Sequence, residues 1–428
     1  MGSPFRKNIP FFLKRLFLLI LFSAAPENFV RGQEFLTFRS ELDFVRNQVD
    51  WRLGPFKVHP LFELDLGYDD NIYSTPESIV PVKDYVATIT PQFTFYLPYS
   101  DWLIMSFREI PQYVFYFDTP EERAFNNGFV PALRLLLFRS WALSGTYQRL
   151  RSKLRVSLEI DRRIFQEIEG QSGSLFYETA RGTAVGVVAE FNRLRYEATY
   201  LPDAESSVAE ALDREEVNGR AEFYYRILAE GDFFANFGYT EYNFSSPESR
   251  FRDTYSFQAN VGVRFPLMGE TRGVLSLGYK KLVPRSPGLK GYAGLVGHTN
   301  LSFRRSRFGF RFFYIRDTPF SYSDSIYFLD TRVGPGISFY LSRSIRLDYD
   351  FSYGRGDYPE TFFLPSGDSQ AEEIARQDLY QSHAAAVVIR LVQDIGVGLR
   401  AQRWERTSNF GQFNVSRLFL GLYLTYEF

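Results

Sequence analysis

Cysteine is absent from all 428 residues. That absence excludes disulfides, thiolate metal sites, a cysteine nucleophile and a lipoprotein anchor. Histidine is scarce: His59, His298 and His383 are the whole set. None stands in an H-x-x-x-H pair or beside a nucleophile motif. No GxGxxG or GxxxxGK[ST] element opens a helix, so no cofactor is expected. Neither sign of charge is in excess, since 49 Lys+Arg against 50 Asp+Glu leave a net charge of -1. A chain without a bulk field of one sign has no electrostatic footprint for nucleic acid. Past residue 33 no run of about 20 apolar residues exists, which excludes a spanning helix from the rest of the chain.

An apolar run does occur before that point. Arg6, Lys7, Lys14 and Arg15 precede Leu16 to Phe22, and Ser23-Ala24-Ala25 follow. This is the order of a secretory signal peptide, assigned to residues 1–32 with cleavage after Ala25 or after Gly32. The chain is therefore expected to be exported. Residues 33–57 carry no clear period and are assigned to a periplasmic extension, with a short plug as the alternative.

What the sequence has in abundance is aromatic residues: 45 Phe and 28 Tyr bring aromatic content to 18%, at an ordinary mean hydropathy of -0.22. Aromatic side chains favour strands. From residue 58 onward, apolar and polar residues alternate with period 2. Tyr255, Phe257, Ala259, Val261, Val263 and Phe265 alternate with Ser256, Gln258, Asn260, Gly262 and Arg264. Ile345 to Tyr353 and Val217 to Ile227 repeat the pattern. The joins between such segments come in two sizes, in turn. Tight ones fall near Pro98–Asp101, Arg139–Ser140, Asn192–Arg193, Leu228–Gly231, Leu267–Thr271, Ser306, Ser342–Arg343 and Gln393–Asp394. Long polar ones fall near 69–84, 118–124, 152–177, 202–216, 243–253, 281–291, 318–325, 356–377 and 406–412.

Short turns alternating with long loops are the meander of a transmembrane antiparallel up-and-down β-barrel, and the joins divide residues 58–428 into about eighteen strands. An even count places both termini on the periplasmic side of a bacterial outer membrane. Closure matters because an unpaired backbone group in hydrocarbon costs several kcal/mol. The apolar face then points to outer-membrane lipid, with Tyr68, Tyr239 and Tyr279 at the interfaces. The last segment is the most specific. Leu418, Leu420, Leu422, Leu424, Tyr426 and Phe428 are apolar at every second position. This run resembles the C-terminal signal read by the barrel-assembly machinery, with Leu424, Tyr426 and Phe428 at its core.

The polar face is expected to line a water-filled interior, because Arg or Lys facing lipid at mid-depth costs about 2–4 kcal/mol. The candidates are Arg195, Glu197, Arg220, Glu222, Arg226, Arg264, Arg311, Arg332, Arg346, Asp348, Asp350, Arg390 and Arg400. They either brace the wall as a network of pairs or form a solute-selecting constriction, and their mixed sign argues against strong ion selectivity. Tyr224, Phe313, Tyr340, Trp404 and Tyr423 on the same face either stack on sugar rings or pack the wall. A barrel enzyme would draw on His383 beside Ser382, and Asp69-Asp70-Asn71 would suit a hard cation. Both readings are outweighed by solvated strand ends and a polar turn, so neither a catalytic nor a metal site is expected.

Pro60-Leu61-Phe62-Glu63-Leu64-Asp65-Leu66-Gly67-Tyr68-Asp69-Asp70-Asn71-Ile72-Tyr73, followed by Thr88-Ile89-Thr90-Pro91-Gln92-Phe93, resembles the opening of a β-barrel porin family associated with exopolysaccharide systems. The resemblance covers roughly the first 40 residues of the barrel and its general layout. It implies an outer-membrane pore, in some members implicated in polymer secretion, and brings no catalytic residues with it. Polysaccharide or small solutes are the partners so implied. A pore for exopolysaccharide export is the leading expectation. A general diffusion porin, or a structural or surface-interaction barrel with a closed lumen, is the alternative.

Overall fold

The computed structural model describes residues 38–49, 51–155, 163–197, 211–227, 231–267, 271–321, 325–364, 372–392 and 394–427. The signal-peptide segment and Phe428 lie outside the described residues. One helix, α1 (Phe38–Gln48), comes first. Strands β1 (Trp51–Leu53), β2 (Phe56–Asp69), β3 (Asp84–Pro98), β4 (Leu103–Glu109), β5 (Gln112–Tyr116), β6 (Ala124–Leu137) and β7 (Trp141–Leu154) follow. Next come β8 (Ile164–Glu178), β9 (Ala184–Glu197), β10 (Arg214–Arg226), β11 (Asp232–Phe244), β12 (Thr254–Leu267) and β13 (Thr271–Pro284). Then come β14 (Tyr292–Arg305), β15 (Phe308–Asp317), β16 (Leu329–Tyr340), β17 (Ile345–Leu364), β18 (Glu372–Arg390), β19 (Ile395–Ser408) and β20 (Val415–Glu427).

Each strand pairs antiparallel with its neighbours, and β20 closes on β2 through a register running from Leu61↔Glu427 to Asp69↔Phe419. The result is a closed antiparallel barrel of 18 strands. Two of the named strands do not add to the wall count. β1 only folds back on the start of β2, and β4 and β5 follow one another along one track between β3 and β6.

Cross-strand partners share a face, so the pairing registers carry one alternation around the whole wall. The outer face is apolar and uncovered: Phe237, Val261, Leu277 and Ile337 are 56%, 52%, 54% and 54% exposed. In a water-soluble protein such a surface would aggregate. Tyr68, Tyr239 and Tyr279 belong to this outer face. The inner face is polar, with Asp65, Glu190, Arg220, Asn260, Arg311 and Arg400 on strands far apart in sequence.

One hairpin differs from the sequence expectation. The sequence pattern predicts a long loop over residues 152–177 and a tight turn at Asn192–Arg193. Instead β8 and β9 run through both segments, and the tight connection is Thr179–Thr183, where the Thr179 amide donates to the Thr183 carbonyl at 2.9 Å. The cause is composition: β8 has Glu167, Glu169, Gly170 and Gly173 where an apolar alternation would mark a strand, yet it pairs with β7 along its full length.

Candidate functional site

The interior of the barrel is the candidate site, and its wall is tied together by charge. On one side Arg311 reaches Asp348 at 3.2 Å and Asp350 at 2.8 Å, while Arg346 joins Asp348 at 2.8 Å. Ser338 donates its hydroxyl to Asp348 at 2.6 Å. Arg400 pairs with Asp65 across β19, β20 and β2 at 2.9 Å, and Arg332 with Asp330 at 2.7 Å. On the other side Arg220 bridges Glu190, at 2.8 Å, and Glu222. The Tyr224 hydroxyl donates to Glu222 at 2.8 Å, and Arg226 meets Asp232 at 3.3 Å. Arg264 lies over the Tyr224 ring at 5.8 Å. Arg390 is the last inward position of β18, opposite Gly396.

Arg195 and Glu197 are the exceptions. The β8–β9 register puts Leu194 and Tyr196 on the inner face, both buried, and leaves Arg195 and Glu197 exposed on the outer one. The expectation that outward charge is too costly holds only within the apolar band. At this end of β7–β10 the outer face is a cross-strand lattice of alternating sign: Arg149 opposite Glu169, Glu169 opposite Arg193, Arg193 opposite Glu215, and Glu167 opposite Arg195. Such a lattice marks wall that stands clear of hydrocarbon.

Sequence reading missed five acidic members of the network: Asp65, Glu190, Asp232, Asp317 and Asp330. Each sits at the inward phase of its strand, so carrying the alternation through every strand would have found them. Lys280 and Asp317, at 2.7 Å, complete a pair built the same way.

Four glycines on the inner face are covered by aromatic rings from a neighbouring strand. A Cβ at Gly334 would collide with Phe313, at Gly398 with Tyr423, at Gly262 with Phe234 and at Gly67 with Phe419. Tyr423 is 3% exposed, which makes it part of the wall. Trp404 stacks on Tyr380, and Arg304 sits 3.9 Å from the ring centre of Tyr340.

α1 docks inside the short-turn end. Its apolar residues Phe38, Leu42 and Val45 recur at helical spacing and, with Val49 just beyond the helix, pack against the inward-facing Tyr96, Ile104, Leu136 and Ala142. Glu178 accepts from the Phe38 amide at 2.9 Å, a carboxylate at the positive end of the helix. Lys57 donates to the carbonyls of Val45, Arg46 and Val49 at 2.8, 2.8 and 3.1 Å, closing the other end. Glu41 pairs with Arg134 at 2.8 Å, and burial nonetheless pushes its carboxyl above the ordinary 4.5. At the long-loop end, Phe320 and Tyr327 fold onto inward-facing Tyr242, Leu282 and Tyr292. Both mouths are thus narrowed by chain that turns inward.

The enzyme and metal readings find no geometry among the described residues. Ser382 and His383, adjacent on β18, face opposite sides of the wall. His383 shares a 2.9 Å hydrogen bond with the Tyr349 hydroxyl on the outer face, and Ser382 accepts from Gln402 at 3.3 Å on the inner one. Asp69 binds Arg417, Asp70 accepts from the Leu418 amide at 2.7 Å, and Asn71 bonds to Thr75 and Ser416, so this turn braces the barrel seam.

A search of curated proteins finds no match. Among solved structures the chain is similar to Pseudomonas aeruginosa OccK3 (OpdO), at 10% identity and a TM-score of 0.48, covering 91% of this chain and 97% of that one. It is also similar to Acinetobacter baumannii OccAB3, at 11% identity and a TM-score of 0.49, covering 87% of this chain and 99% of that one. The family described as "Putative beta-barrel porin 2" matches residues 176–428. That span is more than half the chain and includes the strands β9 to β20, so the protein belongs to this family and is an outer-membrane β-barrel porin.

Proposed function

We propose that the barrel is a passage for exopolysaccharide, entered from its short-turn end, which faces the periplasm together with both termini. The observation that carries this reading is the paired inner wall. Arg400 with Asp65, Arg311 with Asp348 and Asp350, and Arg220 with Glu190 and Glu222 hold opposite charges within hydrogen-bond reach, so the middle of the wall offers donors and acceptors with little net field. A hydroxyl-rich chain can exchange hydrogen bonds along such a wall without being held by a strong charge. The Gly-Tyr-Asp-Asp-Asn opening, which resembles porins of exopolysaccharide systems, supports the same reading.

General diffusion is the second reading. The docking of α1 against inward-facing residues speaks against it, because a helix about 10 Å across removes cross-section from the mouth. Deleting the gene is expected to abolish surface polysaccharide while leaving outer-membrane permeability to small sugars unchanged. An intact polymer coat together with slower uptake of small solutes would instead establish diffusion. Folded protein that carries no current in planar bilayers, with α1 removed, would favour a closed structural barrel.

A further inference from the structure

The short-turn mouth is uneven around its circumference. α1 touches inward-facing residues of β2, β3, β4, β6, β7 and β8, and so takes up that side. Its own charged residues, Arg39, Glu41, Asp43 and Arg46, cancel. On the other side, inward positions next to the short turns hold Arg226 on β10, Arg264 on β12, Arg304 on β14, Arg346 on β17 and Arg390 on β18.

Among the described residues, the carboxylates of this arc are Asp232, at the start of β11, Asp348, one inward step deeper than Arg346, and Asp394, in the turn that leads into β19. Five guanidinium groups therefore face three carboxylates. Mixed sign along the chain has been sorted by the fold into a mouth with cations in excess, and a narrow opening with low-dielectric walls focuses that field. Rings of Arg are a recognised means of selecting anions in a pore.

We propose that the open side of the short-turn mouth selects an anionic chain, a polysaccharide carrying carboxylates, over a neutral one. The inference rests on the polysaccharide reading above. Inward direction favours a threaded chain over a docked protein, since these arginines line the opening.

The test uses the full-length protein in planar bilayers under a KCl gradient, with oligogalacturonate or a dextran oligomer of matching length added to either side. Chloride is expected to carry most of the current, and oligogalacturonate to block more strongly than dextran from the short-turn side. In the Arg264→Gln/Arg304→Gln/Arg390→Gln variant, oligogalacturonate block should weaken about tenfold while dextran block stays unchanged. Heat-modifiable migration on a gel checks that the variant is folded. Equal block by the two oligomers overturns charge selection and leaves polysaccharide passage standing. An open channel that neither oligomer affects overturns both. A folded triple variant with wild-type chloride preference and block also overturns the proposal. Equilibrium binding of the labelled oligomers to detergent-solubilised protein makes the same comparison without current, and equal binding again overturns it.

Discussion

Arg311 shows at the scale of one residue how the wall is held. Its guanidinium satisfies Asp348, Asp350 and the Ser338 hydroxyl together, and only 12% of its side chain is exposed. Replacing it with Gln leaves two carboxylates a few ångströms apart with Arg346 as their remaining cation. Removing one partner of a buried pair is the costly operation, so Arg311→Gln should lower stability by about 2–3 kcal/mol in urea unfolding from lipid vesicles. Outward positions behave differently. Val187→Arg, in the apolar band of β9, should cost about 2–4 kcal/mol in the same assay. Arg195→Ala, farther up the same face, should change stability by less than about 0.5 kcal/mol. A cost for Arg195→Ala similar to that of Arg311→Gln would contradict its outward placement.

At the scale of elements, α1 is held by four apolar residues and by caps at both ends, and none of these contacts belongs to the barrel's strand pairing. Leu42→Asp with Val45→Asp should undock the helix and leave the strands in place. Single-channel conductance should rise in that variant, while the heat-modifiable gel shift of the barrel is retained. Acidity acts on the same contact through Glu41. Burial raises its carboxyl above 4.5 in the docked state, so the docked helix holds this proton more tightly than the undocked one. Docking is then strongest below pH 4.5 and weakens as pH rises through the raised value. Conductance should therefore fall on acidification, and Glu41→Gln should flatten that response.

Elements also divide into those that could be read from sequence and those that could not. β12, β17 and β20 alternate cleanly because one face meets apolar surroundings and the other an aqueous interior. β8 and β9 leave the apolar band partway, so charge appears on both faces and the periodic signal vanishes where the strand continues. Residues 33–57 carry too little pattern to distinguish an extension from a plug. That distinction depends on Tyr96, Ile104, Leu136 and Ala142, which lie on strands still to come in the chain.

For the molecule as a whole, closure is the decisive event. β20 pairs with β19 on one side and with β2, nearly the whole chain length away, on the other. Removing residues 418–428 would expose two strand edges at once, and no heat-modifiable barrel should form. Phe428→Ala, one position past the Leu61↔Glu427 pair, should instead lower the amount of protein reaching the outer membrane, if this aromatic acts as an assembly signal.

By itself the sequence determined the fold class and the strand count, because lipid outside and water inside force a period of two, and alternating loop lengths order the hairpins. Phase within a strand also sets the side on which Arg220, Glu222, Arg311, Arg346, Asp348, Asp350 and Arg400 are expected. Tertiary structure alone decided which charges neutralise one another, that α1 enters the mouth, and that five arginines gather on the arc α1 leaves open. Those are relations between strands distant in sequence, and the shear of the closed wall sets them. No local pattern carries that shear.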